Sequence, residues 1–215
     1  MSEYLIPTRE AQATLVEKRS EFIGHVWPIE TEEEARACIE WAKKKYHDAR
    51  HNCWCYIVKD GAVRYSDDGE PQGTAGQPML GVFQKEGVTN VCCVVTRYFG
   101  GILLGAGGLV RAYTQASKMA LDESGISVVR RWVEVTVDCP YNFFERVKLE
   151  VTALNGVVGD VDYTDHVTVH ALLPEGQEVP FGARITEISA GGFSAVEVGE
   201  AFKAVPYNSA RRICE

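Results

Sequence analysis

The chain has 215 residues, 46% of them hydrophobic and 24% charged, with a net charge of −8 from 22 basic and 30 acidic side chains. That length can bury one large core or two modest ones, and the acidic balance argues against non-specific binding to DNA or to an anionic membrane, leaving only a local basic patch such as Arg97, Arg111 and Lys118 for an RNA partner. Seven cysteines, an odd number with Cys92 and Cys93 adjacent in an apolar run, read as buried thiols; with no signal-peptide pattern and no apolar run near the ~20 residues of a membrane span, a cytoplasmic protein is expected.

In chain order, Ala13 to Ile29 reads as a strand pair broken at Lys18-Arg19-Ser20. Thr31 opens a helix as N-cap, Glu34 completes a capping box, and Ala35, Cys38, Ile39, Ala42 and Tyr46 recur at helical spacing. Cys53 to Val58 and Ala62 to Ser66 read as strands joined at Lys59-Asp60-Gly61, followed by a loop and a short apolar segment, Met79 to Phe83, compatible with a helix. Asn90 to Arg97 is a continuous apolar run typical of a central strand, and Leu109 to Ser124 a helix that stops at Gly125. The pattern restarts after Val129-Arg130-Arg131. Trp132 to Asp138 alternates as a strand, and Asn142 caps a helix carrying Phe144, Val147, Val151 and Leu154 on its buried stripe. Strands at Val157 to Tyr163 and His166 to Leu173, a helix at Val179 to Ser189 and a strand at Phe193 to Val198 complete the order βαββαβ, the ferredoxin-like motif. The tail from Ala201 to Glu215 carries no readable pattern. The expected class is α+β, with domains at residues 1–128 and 129–215, each with its own core, and no flexible linker between them.

Chemistry concentrates in two loops. In the first, Gly100, Gly101, Gly105, Gly107 and Gly108 leave backbone uncovered between Arg97 and Arg111, which suits a phosphate: glycine permits close approach, the following helix offers free N–H groups, and arginine supplies permanent planar donors. The alternative is a tight turn whose glycines serve packing. Neither G-x-G-x-x-G nor G-x-x-x-x-G-K-[ST] is spelled, so a Rossmann or P-loop site is not supported. The second loop runs from Ser66 to Pro78 and includes Thr74 and Gly76. Its Asp67, Asp68 and Glu70 are either turn residues or ligands for a hydrated Mg²⁺. His47, His51, Cys53 and Cys55 do not form a zinc site on a straight strand, because positions 51 and 55 lie ~13 Å apart whereas zinc ligands must converge within ~2.3 Å of one point. His51 reads as a structural hydrogen bond or a contact at the cleft. No nucleophilic triad and no cofactor motif is present.

Taken together, Ser66-Asp-Asp-Gly-Glu-Pro-Gln-Gly-Thr-Ala-Gly76 and Arg97-Tyr-Phe-Gly-Gly-Ile-Leu-Leu-Gly-Ala-Gly-Gly-Leu109, with Glu17-Lys-Arg-Ser-Glu-Phe-Ile23 and Asp48-Ala-Arg-His51, resemble the signature of the IMPACT family, whose bacterial members are of the YigZ type. The resemblance covers about the first 125 residues closely and the rest by length and pattern. It implies a two-domain cytoplasmic protein linked to regulation of translation and stress response. The first domain would have the fold of the second domain of ribosomal protein S five, with a left-handed βαβ unit, and the second would be ferredoxin-like. Eukaryotic members place a protein-interaction domain ahead of the signature and through it enter the amino-acid-starvation response. This chain begins almost at the signature, so the resemblance names no protein partner.

Two functions from different classes follow. In one, a binding module grips RNA, the ribosome or another phosphate-bearing partner through Arg97, Arg111, the glycines, Thr74 and Gly76, with Ser66, Asp67, Asp68, Glu70 and His51 supporting the cleft. In the other, an enzyme holds Mg²⁺ on Asp67, Asp68 and Glu70 and uses the arginines for phosphoryl transfer or phosphoester hydrolysis. Binding is favoured, because no dedicated base and no nucleotide loop can be named.

Overall fold

The structure is a computed structural model and describes residues 3–207. The chain divides into two compact units, one formed by Tyr4–Val128 with residues 204–207, the other by Val129–Lys203 with Glu3.

In the first unit, β1 (Tyr4–Pro7) precedes a hairpin of β2 (Ala11–Glu17) and β3 (Ser20–Pro28). The hairpin turn is only Lys18 and Arg19, both at positive φ (46° and 64°), the primed-turn geometry that usually selects Asn-Gly. Helix α1 (Glu32–Lys45) begins at the expected capping box: the Glu34 amide donates to Thr31 Oγ1 at 3.2 Å while Glu34 Oε2 accepts from the Thr31 amide at 3.3 Å. Three glutamates in its first turn and three lysines in its last complement the helix dipole. Next come β4 (His51–Ile57), β5 (Val63–Ser66), α2 (Gly76–Glu86), β6 (Val91–Tyr98) and α3 (Ala106–Ser124), which ends as expected at Gly125.

The sheet order is β2-β3-β6-β4-β5, so the apolar run at 91–98 is central, as its composition requires. Since β6 is antiparallel to both β3 and β4, those two strands are parallel and flank it. Strand alternation divides the core: Val91, Cys93 and Val95 pack with α2 and α3, while Cys92 and Val94 pack with Ile39 and Ala42 of α1. The six described cysteines are all free thiols.

The second unit contains most of β7 (Ile126–Cys139), α4 (Phe144–Ala153), β8 (Val157–Tyr163), β9 (Val167–Pro174), α5 (Glu178–Ile188) and most of β10 (Ala195–Pro206). Strand β9 lies between β7 and β8, and β10 pairs with β7, which is the ferredoxin-like arrangement. Val135 and Val137, Val147 and Val151, and Phe181 and Ile185 fill its core from the sheet and the two helices.

Several sequence expectations are corrected. Strand β7 starts at Ile126, not Trp132, because Arg130 and Arg131 do not interrupt it: they ion-pair with Glu3 and with Glu175 and Glu200. Asn142 is not an N-cap. It sits in a 3-10 turn, Tyr141–Phe143, and Glu145 pairs with Lys148 instead of closing a capping box. Strand β10 runs well into the tail that carried no readable pattern, and β1 was not foreseen at all. No helix among the described residues is long and apolar enough to cross a membrane.

Candidate anion-binding end of the first unit

Register brings the predicted residues together. Arg97, near the end of β6, lies opposite Phe22 at the start of β3 and His51 at the start of β4. The β2–β3 turn, the glycine loop, the 67–75 loop and the C-terminal end of α1 therefore meet at one end of the sheet.

The 66–76 loop is held by its own acids. Asp67 Oδ2 accepts from the Gly73 amide at 2.8 Å, and Oδ1 accepts from the Ala75 and Gly76 amides at 3.0 and 2.9 Å. Asp67 is thus the anion at the N-terminus of α2. The Asp68 carboxylate accepts from the Asn52 amide at 2.7 Å, the Asp68 amide donates to Ser66 Oγ at 3.1 Å, and His51 Nδ1–H donates to the Asp68 carbonyl at 2.9 Å. The Thr74 hydroxyl donates to the Pro71 carbonyl at 2.6 Å. The Cys53 thiol, pushed up in pKa by burial, donates to the Asp67 carbonyl. Gly76 is there for fit, since a Cβ would lie 2.8–2.9 Å from the Ser66 backbone.

These bonds bear on the magnesium reading. Asp67, Asp68 and Glu70 each serve different protein donors, and among the described residues no three His, Cys, Asp or Glu side chains gather where they could share a metal ion. Asp67→Ala is expected to cost about 2–3 kcal/mol in denaturant unfolding, because it leaves three backbone donors without their acceptor. Mg²⁺ or EDTA should leave the wild-type midpoint in place; a Mg²⁺ stabilisation that vanishes in Asp67→Ala would restore the metal reading.

Arg97 is placed inside. It is 7% exposed, and its guanidinium donates to Glu70 Oε1 at 2.7 Å, an oxygen that also accepts from the Tyr113 hydroxyl at 2.8 Å. The guanidinium carbon lies 5.4 Å from the Phe22 ring centroid and 5.6 Å from that of Phe99. This is a strut between strand, loop and helix, whereas the sequence suggested a phosphate contact.

The glycine loop is stitched to the hairpin turn. A Cβ on Gly100 would lie 2.0 Å from the Arg19 carbonyl carbon and oxygen, and the Gly100 amide donates to Ser20 Oγ at 3.1 Å. Gly101 and Gly105 adopt φ of 85° and 73°. Helix α3 then starts at Gly105 with no side-chain cap and no acid in its first turn, whereas the amides at the start of α2 are met by Asp67 from the preceding loop. Arg111 is exposed, with Nη1 3.6 Å from where a Cβ on Gly107 would sit. A cavity of about 130 Å³ is lined by Lys18, Arg111, Gly108 and Leu104, with Glu17 the one acid at its wall. Lys18, Arg19 and Arg111 enter no ion pair among the described residues. Lys118 does not join them, being paired with Glu86 and Asp122. Sequence reasoning passed over Lys18 and Arg19; the available signal was a cationic dipeptide between two strands.

Comparison with known proteins covers both units. The family model described as the Impact N-terminal domain matches residues 18–121, from the hairpin turn through most of α3, and a domain of unknown function, DUF1949, matches residues 137–191. The IMPACT family member YvyE of Bacillus subtilis is 34% identical over 93% of this chain and 93% of its own length. The chain belongs to the IMPACT family. The family member YigZ of Escherichia coli is likewise 34% identical, over 93% of this chain and all of its own length. A crystal structure described as that of a hypothetical protein matches with a TM-score of 0.58 at 32% identity, covering 93% of this chain and 98% of that one. The Protein IMPACT homolog of Dictyostelium discoideum is 34% identical over 46% of this chain and 30% of its own length.

Proposed function

We propose that this IMPACT family member is a translation-associated regulatory protein that binds RNA, free or on the ribosome, by its phosphates at the basic end of the first unit, in the cytoplasm and without chemistry of its own. One observation carries the reading: in a chain of net charge −8, Lys18 and Arg111 line one cavity by the uncapped start of α3, Arg19 is next to Lys18 in the hairpin turn, and none of the three enters an ion pair among the described residues. Charge-assisted contacts from such groups suit phosphate oxygens. Membership of the IMPACT family supports the link to translation.

Arg111→Ala and Lys18→Ala are expected to weaken RNA binding by roughly 10- to 150-fold each, since a hydrogen bond to a charged group contributes about 1.5–3 kcal/mol. The slope of log affinity against log salt should become shallower by about one per cation removed. Stability should stay within about 0.5 kcal/mol of wild type for Arg111→Ala, an exposed position. Unchanged affinity and slope in both variants, measured by filter binding and ribosome co-sedimentation, would refute the reading.

A further inference from the structure

Phe99, the first residue beyond β6, is 51% exposed although aromatic, and Ile102 and Leu103 on the same loop are 42% and 82% exposed. The Phe99 ring has a support: the Arg97 guanidinium lies against it and against Phe22, Phe22 meets Tyr113 edge-on at 5.2 Å, and Glu70 ties Arg97 to Tyr113. Arg97 Nε–H is buried without a hydrogen-bond partner in the structure. A guanidinium held in this way cannot swing into solvent, so it fixes the ring from below while half of Phe99 stays open.

An exposed, braced aromatic beside cations that enter no ion pair among the described residues is the pairing that single-stranded nucleic acid requires. A charged groove follows the backbone, and any base can stack on the ring because every base has a π face. A duplex offers phosphates but keeps its base faces stacked inside, so it would leave Phe99 unused. We infer that the basic end takes single-stranded RNA, with one unpaired base stacked on Phe99 while Lys18, Arg19 and Arg111 hold the adjoining phosphates. This rests on the reading of that end as an RNA-phosphate site and adds the kind of RNA. Arg97 is then a positioning residue for the stack, acting through Phe99.

The test uses the full chain, fluorescence anisotropy with a short labelled single-stranded RNA, and two competitors: the same sequence as a duplex, and inorganic tripolyphosphate. Phe99→Leu should weaken single-strand binding by roughly 5- to 100-fold, Phe99→Trp should hold or tighten it, and the dissociation constant of tripolyphosphate obtained from competition should be the same in Phe99→Trp as in wild type. The duplex should compete poorly. Single-strand affinity unchanged in Phe99→Leu, or a duplex that competes as well as the single strand, overturns the inference; if Arg111→Ala still weakens binding in that case, the phosphate site survives without the stack. Wild-type protein that binds none of the RNAs overturns both.

Discussion

Arg97→Ala is expected to destabilise the protein by about 3–5 kcal/mol, the largest effect of any single substitution at this end of the molecule. The Arg97 and Glu70 side chains are 7% and 3% exposed and 2.7 Å apart, so removing the guanidinium leaves a buried carboxylate with only the Tyr113 hydroxyl to solvate it. Breaking one side of a buried pair is far more costly than losing an exposed one, because the remaining charge has neither partner nor water. Differential scanning fluorimetry should show a fall in melting temperature of roughly 10 °C. The double variant Arg97→Met with Glu70→Leu should recover much of the loss, since no unpaired charge then remains. Arg97→Ala with wild-type melting behaviour but no RNA binding would show that this arginine works as a ligand contact and not as a strut.

Acidification should weaken the fold through His25. This residue lies on β3 facing α1 and is 2% exposed; Nε2 is 2.8 Å from the Tyr46 hydroxyl, and Nδ1 is buried without a partner. Its ring is stacked on Trp27 at 5.2 Å and meets Trp41 edge-on. Burial first, and the nearby Lys45 charge second, lower its pKa from 6.5 to about 4. Between those values the unfolded chain takes up a proton that the folded chain refuses. Stability from this site is therefore complete above pH 6.5 and is lost as pH falls toward 4, amounting to about 3 kcal/mol in all. Urea unfolding at neutral pH and near the lower value should show that difference in wild type, and a much smaller one in His25→Phe. Equal pH dependence in the two proteins would mean that His25 takes up its proton as readily in the folded state as in the unfolded one.

Local signals in the sequence led to the right elements where the physics is local. The Thr31–Glu34 capping box, the apolar run of β6 and the stop at Gly125 all depend on residues within one turn or one strand, and each stands as read. The errors have tertiary causes. Arg130 and Arg131 looked like a break because their carboxylate partners, Glu3, Glu175 and Glu200, are distant in sequence. At the site, spelling alone could not separate Asp67 as an internal helix cap from Asp67 as a metal ligand, since the amides it serves become visible only when the loop closes. Arg97 was read as a phosphate contact, and the acid it pairs with, Glu70, lies in the other loop. The helix start after the glycine loop, ahead of Arg111, was legible because it is a local feature.

The sheet order of the first unit also constrains how the protein is made. Strands β3 and β4 are neighbours in the chain but not in the sheet, and the strand that separates them, β6, follows only after β5 and α2. A nascent chain that has emerged as far as β4 therefore has two parallel strands with a missing rung between them and bare edges open to wrong pairing. The unit is not complete even when β6 arrives. Val205 and Tyr207 pack against its core, and the Tyr207 amide donates to the Ile126 carbonyl at 2.9 Å, so residues 204–207 must be synthesised first, after the whole of Val129–Lys203. The second unit is in effect an insertion within the first. Folding during translation should then run out of chain order, with the ferredoxin-like unit able to close on its own contacts before the signature unit receives its last segment.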